Sequence, residues 1–382
     1  MSEENDEMVV TPYKVSGKLD YDRLIKEFGT ERITEKMKEQ IYKIAGEKNL
    51  YLERNLFFSH RDLDWILNEY ERGNKFVIYT GRGPSGHTHI GHLVPWMFTK
   101  WFQDRFKTRL YFQMTNDEKY FFNSHLSIDD VKMYTYENTL DLLALGFEPE
   151  DTYIIQDIEH IDILYEIAVE VARKVTFSTV KATFGFDTST NIGSIWHPAI
   201  QAVPAFIHSW IYGKNTPCII PCAIDQDPFW RVTRDVAEKM GYYKPASIQC
   251  TFVPGLKEGG KMSASEPMSA IFTTDTPKLA KKKVMAAFTG GRVTVEEQRK
   301  LGADPDICSV YKYYNFIFMP DDKDLANIEQ KCRNGELLCG ECKQILAPMM
   351  MEFLEKHQAA REEVKDRVEE FSAARLREDI RR

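Results

Sequence analysis

At 382 residues the chain exceeds what one hydrophobic core supports, roughly 250 to 300 residues, so two or three domains are expected. With 43% hydrophobic, 12% aromatic and 28% charged residues, and no apolar run near the roughly 20 that span a bilayer, the chain reads as neither membrane-embedded nor disordered. A formal net charge of -8 opposes non-specific attraction to nucleic acid, so any RNA partner must meet a local basic patch.

The acidic start, Met1-Ser-Glu-Glu-Asn-Asp-Glu7, is unlike a secretory or mitochondrial leader and reads as the solvated tail of a cytoplasmic protein. Seven cysteines, an odd number thinly spread, imply reduced thiols. Residues 1–72 alternate polar and apolar at helical spacing, with Gly29 and Gly46 as breaks, and predict a helical N-terminal extension. Phe76-Val-Ile-Tyr-Thr80 is a short apolar, β-branched run ending at Gly81, the pattern of a buried strand.

After a glycine-rich turn, Leu93, Val94, Met97, Trp101 and Phe102 recur at helical steps, with Pro95 expected in a first turn that tolerates it. Thr108–Met114 and Tyr153–Gln156 predict further strands, and helices are expected over about 128–146 and 159–182. Cys218–Ile224 is another apolar run, ended by Asp225-Gln-Asp-Pro228, where Asp227 suits an N-cap and Pro228 a first helical residue. Strands alternating with helices imply an α/β, doubly wound parallel sheet over 73–274. From 275 strand signals vanish, and 275–382 reads as a separate helical domain.

Gly81-Arg82-Gly83-Pro-Ser-Gly86 matches the G-x-G-x-x-G dinucleotide fingerprint, which would suggest a nicotinamide or flavin enzyme. The match is poor: Pro84 and a histidine cluster intervene, and no acidic residue ends the next strand at the spacing that holds a ribose. The same physics suits a different phosphate ligand. Glycines admit close backbone approach, and a helix beginning near Gly91-His92 points N–H groups and a positive dipole end at it. His89 and His92 can donate to phosphate oxygens from one side. His87, His89 and His92 could instead hold a metal.

Lys257-Glu-Gly-Gly-Lys261-Met262-Ser263-Ala-Ser265 reads as a glycine-flanked loop whose lysine and hydroxyls could close on a triphosphate. His89-Ile-Gly-His92 and Lys261-Met-Ser-Ala-Ser265, in this order across most of an α/β domain, resemble the two signatures of the class I aminoacyl-tRNA synthetases. Tyr79-Thr-Gly-Arg-Gly-Pro-Ser, Gln113-Met-Thr-Asn-Asp-Glu-Lys-Tyr, Phe184-Gly-Phe, Pro198-Ala-Ile-Gln-Ala and Ala223-Ile-Asp-Gln-Asp-Pro are similar to the eukaryotic and archaeal tryptophanyl-tRNA synthetases.

The resemblance, from about Tyr13 onward, implies a Rossmann-type catalytic domain with an internal dimerisation insert over 73–274, an anticodon-binding domain over 275–382, and a homodimer. It implies that Tyr79 and Gln113 hold the indole N–H, and that Glu118, Gln201 and Gln226 hold the substrate ammonium. Gly81, Arg82, Gly83, His89, Gly91, His92, Lys261 and Met262 are implied to take ATP, with His89, His92, Lys261, Ser263 and Ser265 catalytic. The partners implied are L-tryptophan, ATP with Mg²⁺, and tRNA(Trp). Two departures are expected: no room for the N-terminal helical hairpin that some animal members append, and a turn from Ser85 to His89 shorter than in the animal relatives. Tyrosyl-tRNA synthetases share the fold and both signatures, and an inactive synthetase-like binding protein is a second alternative.

Pro277-Lys-Leu-Ala-Lys281-Lys-Lys283 with Arg292, and Arg375, Arg377, Arg381 and Arg382, are the basic stretches expected to meet RNA. Cys339-Gly-Glu-Cys342, with Cys332 nearby, hints at zinc but lacks a second closely spaced pair.

Overall fold

In the computed structural model of the protein, residues 8–12, 15–16, 20–258, 262 and 266–380 are described. Lys261, Ser263 and Ser265 lie outside the described residues, as do Arg381 and Arg382. The frame is a seven-stranded sheet of β1 (Glu31–Arg32), β2 (Phe57–Arg61), β3 (Val77–Arg82), β4 (Leu110–Met114), β5 (Thr152–Gln156), β6 (Cys218–Ala223) and β7 (Ala246–Cys250). Their order is β1-β2-β7-β6-β3-β4-β5, in which β3 to β7 run parallel while β2 is antiparallel to β7 and β1 to β2. The five parallel strands therefore follow the doubly wound order, whose crossovers reverse between β3 and β6.

The N-terminal segment is helical over α1 (Tyr21–Phe28), α2 (Glu35–Ala45) and α3 (Leu63–Glu71), as its spacing predicts. It departs from a purely helical extension because Leu56-Phe-Phe-Ser is a compact apolar run, and the strand it forms lies on the open edge of β7. That strand is clamped from its end: Arg61 Nε and Nη2 donate to both oxygens of Asp227, at 2.8 and 2.9 Å. Asp227 is correspondingly not an N-cap. Ile224–Gln226 form a 3-10 turn that runs straight into the helix at Asp227, so Gln226 takes the cap position. The strand β7 was not anticipated, since Ala246–Cys250 carries Ser247 and Gln249 among its apolar residues; Gln249 donates to Ser247 and accepts from Ser59.

Helices cover both faces of the sheet. On one, α4 (Ile90–Phe106) lays Leu93, Trp96, Phe98, Phe102 and Phe106 on Ile78, Leu110 and Phe112. On the other, α7 (Ile161–Ala172), α9 (Ile192–Ala202) and α10 (Pro204–Tyr212) pack on Val77, Tyr79, Tyr111 and Ile155. Between α4 and α7 come α5 (Asn116–Phe122) and α6 (Ile128–Leu143), and between α7 and α9 comes α8 (Phe177–Phe184). The predicted 159–182 helix is thus two, broken between Ala172 and Phe177, with Thr176 capping the second. Pro95 lies in the second turn of α4 rather than the first, where it can only remove the bond to the Gly91 carbonyl.

Beyond α11 (Asp227–Ala237), the C-terminal part is helical as expected, with α12 (Pro277–Ala286) against the long α13 (Cys339–Val364). Its apolar cluster, including Tyr313, Leu346 and Met350, is continuous with Ile90 and Val94 of α4. A buried ionic group ties α13 to α6: Asp141 accepts from Arg361 Nη1 and sits 2.9 Å from His357 Nε2, while Arg361 Nη2 donates to Glu137 at 2.5 Å. The seven cysteines are unpaired. No helix among the described residues is long and apolar enough to cross a membrane.

Removing one partner from a buried charged group leaves the others uncompensated, at a cost of about 3–5 kcal/mol. Asp141→Ala is therefore expected to lose about that much stability in urea denaturation; a loss below roughly 1 kcal/mol, the scale of a surface pair, would show that the group is solvent-compensated.

Candidate active site

The site lies where the strand order reverses, in a crevice of about 310 Å³ at the carboxyl edge of β3 and β6. Its lining includes Tyr79, Gly81, Arg82, Gly83, His89, Gly91, His92, Gln113, Glu118, Gln201, Gln226 and Met262. Every described residue assigned to the site from the sequence is thus brought to one place. Register explains part of this: β3 and β4 pair with Gly81 opposite Gln113, and alternation puts Tyr79 and Gln113 on the same face. The approach is close enough that a Cβ on Gly81 would meet the Gln113 carbonyl oxygen at 2.6 Å.

One wall of the crevice is the start of α4. His89 caps the helix, and its main-chain N–H donates to His92 Nδ1 at 3.2 Å. The two imidazoles stack with centroids 3.5 Å apart. In the neutral ring, that bond leaves the His92 proton on Nε2, the nitrogen able to donate to a phosphate. A Cβ on Gly91 would meet His89 Nδ1 at 3.1 Å and Met262 Sδ at 3.2 Å, so the two signature motifs touch at this glycine. The segment after the second signature also pairs with the first: Ile90 N–H donates to Ile271 O and Thr273 N–H to Thr88 O, both at 3.0 Å. Lys257 and Glu266 form an ion pair at 2.6 Å across the base of the lysine-bearing loop. His87 does not join the other histidines; its ring meets Tyr134 edge-on.

Arg82 is held by Asn138, and burial pushes its guanidinium down to about 10, so it remains a cation at neutral pH. Glu118 accepts from Thr115 Oγ1 at 2.8 Å and Lys119 Nζ at 3.0 Å. Burial alone would raise its carboxyl, but Lys119 and His197 hold it below the ordinary value. A cation already sits on this carboxylate, so any second cation must share it with Lys119 or displace it.

Sequence reading did not single out a second polar layer beneath the pocket. The Tyr79 hydroxyl lies 2.5 Å from Gln113 Oε1 and 2.7 Å from the Gln201 carbonyl oxygen. Gln113 Nε2 donates to Asp157 at 2.8 Å, and Gln201 Oε1 sits 2.9 Å from His197 Nε2. His197 also faces Asp117 at 3.4 Å. Burial would lower the His197 imidazole, yet Asp117 and Glu118 raise it; burial would raise Asp117, yet His197 holds it low. Asp157 is driven well above a normal carboxyl by burial and then by Asp117. Within the trio these contacts therefore favour the cation of His197, the anion of Asp117 and the protonated form of Asp157. Asp117 and His197 adjoin residues with assigned roles, but nothing in their spacing foretold that Asp157, after another strand, would join them.

The family model described as tRNA synthetases class I (W and Y) matches residues 71–355. The Pyrobaculum calidifontis tryptophan–tRNA ligase is 47% identical over 367 residues, 96% of this chain and 98% of that protein. The Thermococcus onnurineus tryptophan–tRNA ligase is 48% identical over 369 residues, 96% and 94% of the two chains. The solved Plasmodium falciparum tryptophanyl-tRNA synthetase superposes with a TM-score of 0.86 at 40% identity, covering 92% of this chain and 97% of that one. The Encephalitozoon cuniculi enzyme, solved bound to tryptophan, gives 0.85 at 34%, covering 94% and 99%.

The charge state of the trio makes a pH prediction. A His197 raised above about 6.5 contributes stability that is complete below that value and is lost as pH rises through the higher folded one. His197→Gln should lower the thermal midpoint most below about pH 6.5 and progressively less as pH rises above it; a difference that does not vary with pH would overturn the upward shift of His197.

Proposed function

The chain belongs to the class I tryptophanyl-tRNA synthetases, and on that premise we propose how its residues divide the work. It activates L-tryptophan with ATP and transfers the aminoacyl group to tRNA(Trp). The observation that carries the division of labour is the convergence of Tyr79, Gln113, Glu118, Gln201 and Gln226 with the glycine turn and both signature histidines on one crevice.

The tryptophan carboxylate attacks the ATP α-phosphorus and pyrophosphate leaves. The carboxylate is already ionised near neutral pH, so the step needs no general base, and catalysis is positioning and charge stabilisation. Gly81, Gly83 and Gly91 admit the nucleotide closely, Arg82 adds a buried cation, and His89 and His92 donate to the phosphates. Lys261, Ser263 and Ser265 are assigned to the pyrophosphate as it develops charge, with Met262 seated against Gly91 beside them. The histidine and glycine wall supplies N–H donors rather than oxygen ligands, which fits Mg²⁺ arriving on the ATP phosphates. Indole offers one donor on a large apolar face. Tyr79 and Gln113 meet the donor, the Trp230 ring stands edge-on to Tyr79, and Glu118, Gln201 and Gln226 take the ammonium.

A homodimer is supported by an exposed apolar stripe at Ile161, Tyr165 and Val169, one helical face of α7, and by two further exposed apolar side chains, Phe177 and Ile192, the latter 84% exposed. The division into an N-terminal extension over 1–72, a catalytic domain over 73–274 and an anticodon-binding domain over 275–382 follows the same reading. A cytoplasmic location is consistent with seven unpaired cysteines.

The basic surface is narrower than the sequence suggests. Lys283 is buried in an ion pair with Asp275 at 2.6 Å, Arg375 bonds the Thr152 carbonyl and covers Tyr153, and Arg377 pairs with Asp162. Lys278, Lys281, Lys282 and Arg292 are left exposed for RNA, and Arg375 remains exposed over Tyr153.

Tryptophan-dependent ATP–pyrophosphate exchange by the purified chain tests the assignment; exchange with tyrosine alone would reverse the substrate. Glu118→Gln is expected to raise KM for tryptophan roughly tenfold to a hundredfold with a smaller change in kcat, as loss of a charge-assisted bond requires. Lys281→Glu with Lys282→Glu should weaken tRNA binding and reduce the steepness of its salt dependence by about two phosphate contacts; an unchanged slope would place the RNA elsewhere.

A further inference from the structure

Gln113 serves an indole only if its amide points one way. With the carbonyl outward it accepts the indole N–H; reversed, it offers an NH₂ group that meets donor with donor. Packing hardly distinguishes the two ends of an amide, so hydrogen-bond partners must set the orientation. Oε1 faces the Tyr79 hydroxyl, which lies as close to a fixed acceptor, the Gln201 carbonyl, and so could be satisfied with either orientation of Gln113. The Ile200 carbonyl oxygen is 3.5 Å from Nε2, a marginal distance. The short bond from Nε2 to Asp157 Oδ1 is left to decide.

Asp157 lies just past β5 and is 1% exposed. No N–H or O–H donor among the described residues supplies its Oδ2. One polar side-chain atom each of Asp117, Asp157 and His197 lie within 4.8 Å of one another. Burial and the neighbouring Asp117 carboxyl both favour the protonated form of Asp157.

We propose that Asp157 is a positioning residue for substrate selection: held between Asp117 and Gln113, it accepts from the Gln113 amide and keeps the Gln113 carbonyl turned toward the pocket, where a donor such as the indole N–H fits. His197 favours the anion of Asp117, so of the two carboxyls Asp157 is the one favoured to keep a proton, on the Oδ2 that no donor among the described residues supplies. Oδ1 then has only lone pairs to offer, and Gln113 must give it the NH₂ end. Gln113 Oε1 keeps two lone pairs, one for Tyr79 and one for the substrate. The relay reaches from the ammonium side of the pocket to the indole side through groups that touch no substrate, except at Gln113.

This inference rests on the reading of Tyr79 and Gln113 as the indole-facing pair. Its test compares L-tryptophan with β-(3-benzofuranyl)alanine, in which an oxygen acceptor replaces the N–H, in ATP–pyrophosphate exchange by the full chain and its Asp157 variants. In Asp157→Leu the Gln113 amide is free to turn, and the ratio of kcat/KM for tryptophan over the benzofuran should fall roughly tenfold to a hundredfold, through KM rather than kcat. Asp157→Asn can give NH₂ to Asp117 and a carbonyl to Gln113, so it should recover most of the ratio. Asp157→Ala carries the same comparison if circular dichroism shows the leucine variant unfolded.

Equal losses for both amino acids would mark a merely structural role and overturn the proposal, as would an unmoved ratio. Stoichiometric divalent metal in the wild-type protein, released in Asp157→Asn, would replace the proton with a cation and overturn it too. Absence of any tryptophan-dependent exchange by the wild-type chain would overturn the function reading itself, whereas exchange with a ratio insensitive to Asp157 overturns the relay alone.

Discussion

The structure of the site depends on one constraint: polar groups taken out of water must find partners in one another. The crevice places Tyr79, Gln113, Asp157, His197 and Gln201 in dry surroundings, where Gln201 leads through Tyr79 and Gln113 to Asp157 on one side and through His197 to the half-buried Asp117 on the other. A buried network of this kind is stiff because shifting one member strands its neighbour. Such stiffness suits selection of indole, whose single donor distinguishes it only if the acceptors meeting it cannot rotate away.

The same constraint reaches the sheet. Gly81 lets the carboxyl ends of β3 and β4 approach until no Cβ would fit, and the parallel register then sets Tyr79 and Gln113 on one face. Helices α7, α9 and α10 close that face with an apolar layer and contribute His197 and Gln201 from α9. The fold thus supplies the enclosure, and the enclosure makes the hydrogen bonds selective, since a mispaired donor has no water to turn to.

On the phosphate side the organising contact is between the two signatures. Gly91 and Met262 touch, and Thr88 and Ile90 bond to Thr273 and Ile271, so the loop between Lys257 and Glu266 is anchored at its far end to the start of α4. The C-terminal helices share an apolar cluster with Ile90 and Val94, and Asp141 binds Arg361 and His357. Through these contacts the helical region is packed directly on the helix that carries the first signature.

Local patterns in the sequence determined the alternation of strand and helix, the glycine turn, both signatures and the set of polar residues at strand ends, because each is written in neighbouring residues with a period or a cap. Tyr79, Gln113, Glu118, Gln201 and Gln226 were legible since each lies in a recognisable string, and the structure gathers them. Tertiary structure alone decided the rest. Phe57–Arg61 became a strand because an open sheet edge was available, Asp227 became the partner of Arg61 rather than a cap, and Lys283 was withdrawn from the surface by Asp275. Asp157 and His197 entered the site only because β5 and α9 converge on β4 in space, and pairings between residues 40 to 90 positions apart leave no periodic trace in the chain. Which groups carry protons is set by the burial and proximity that folding creates, so it had no counterpart in the sequence.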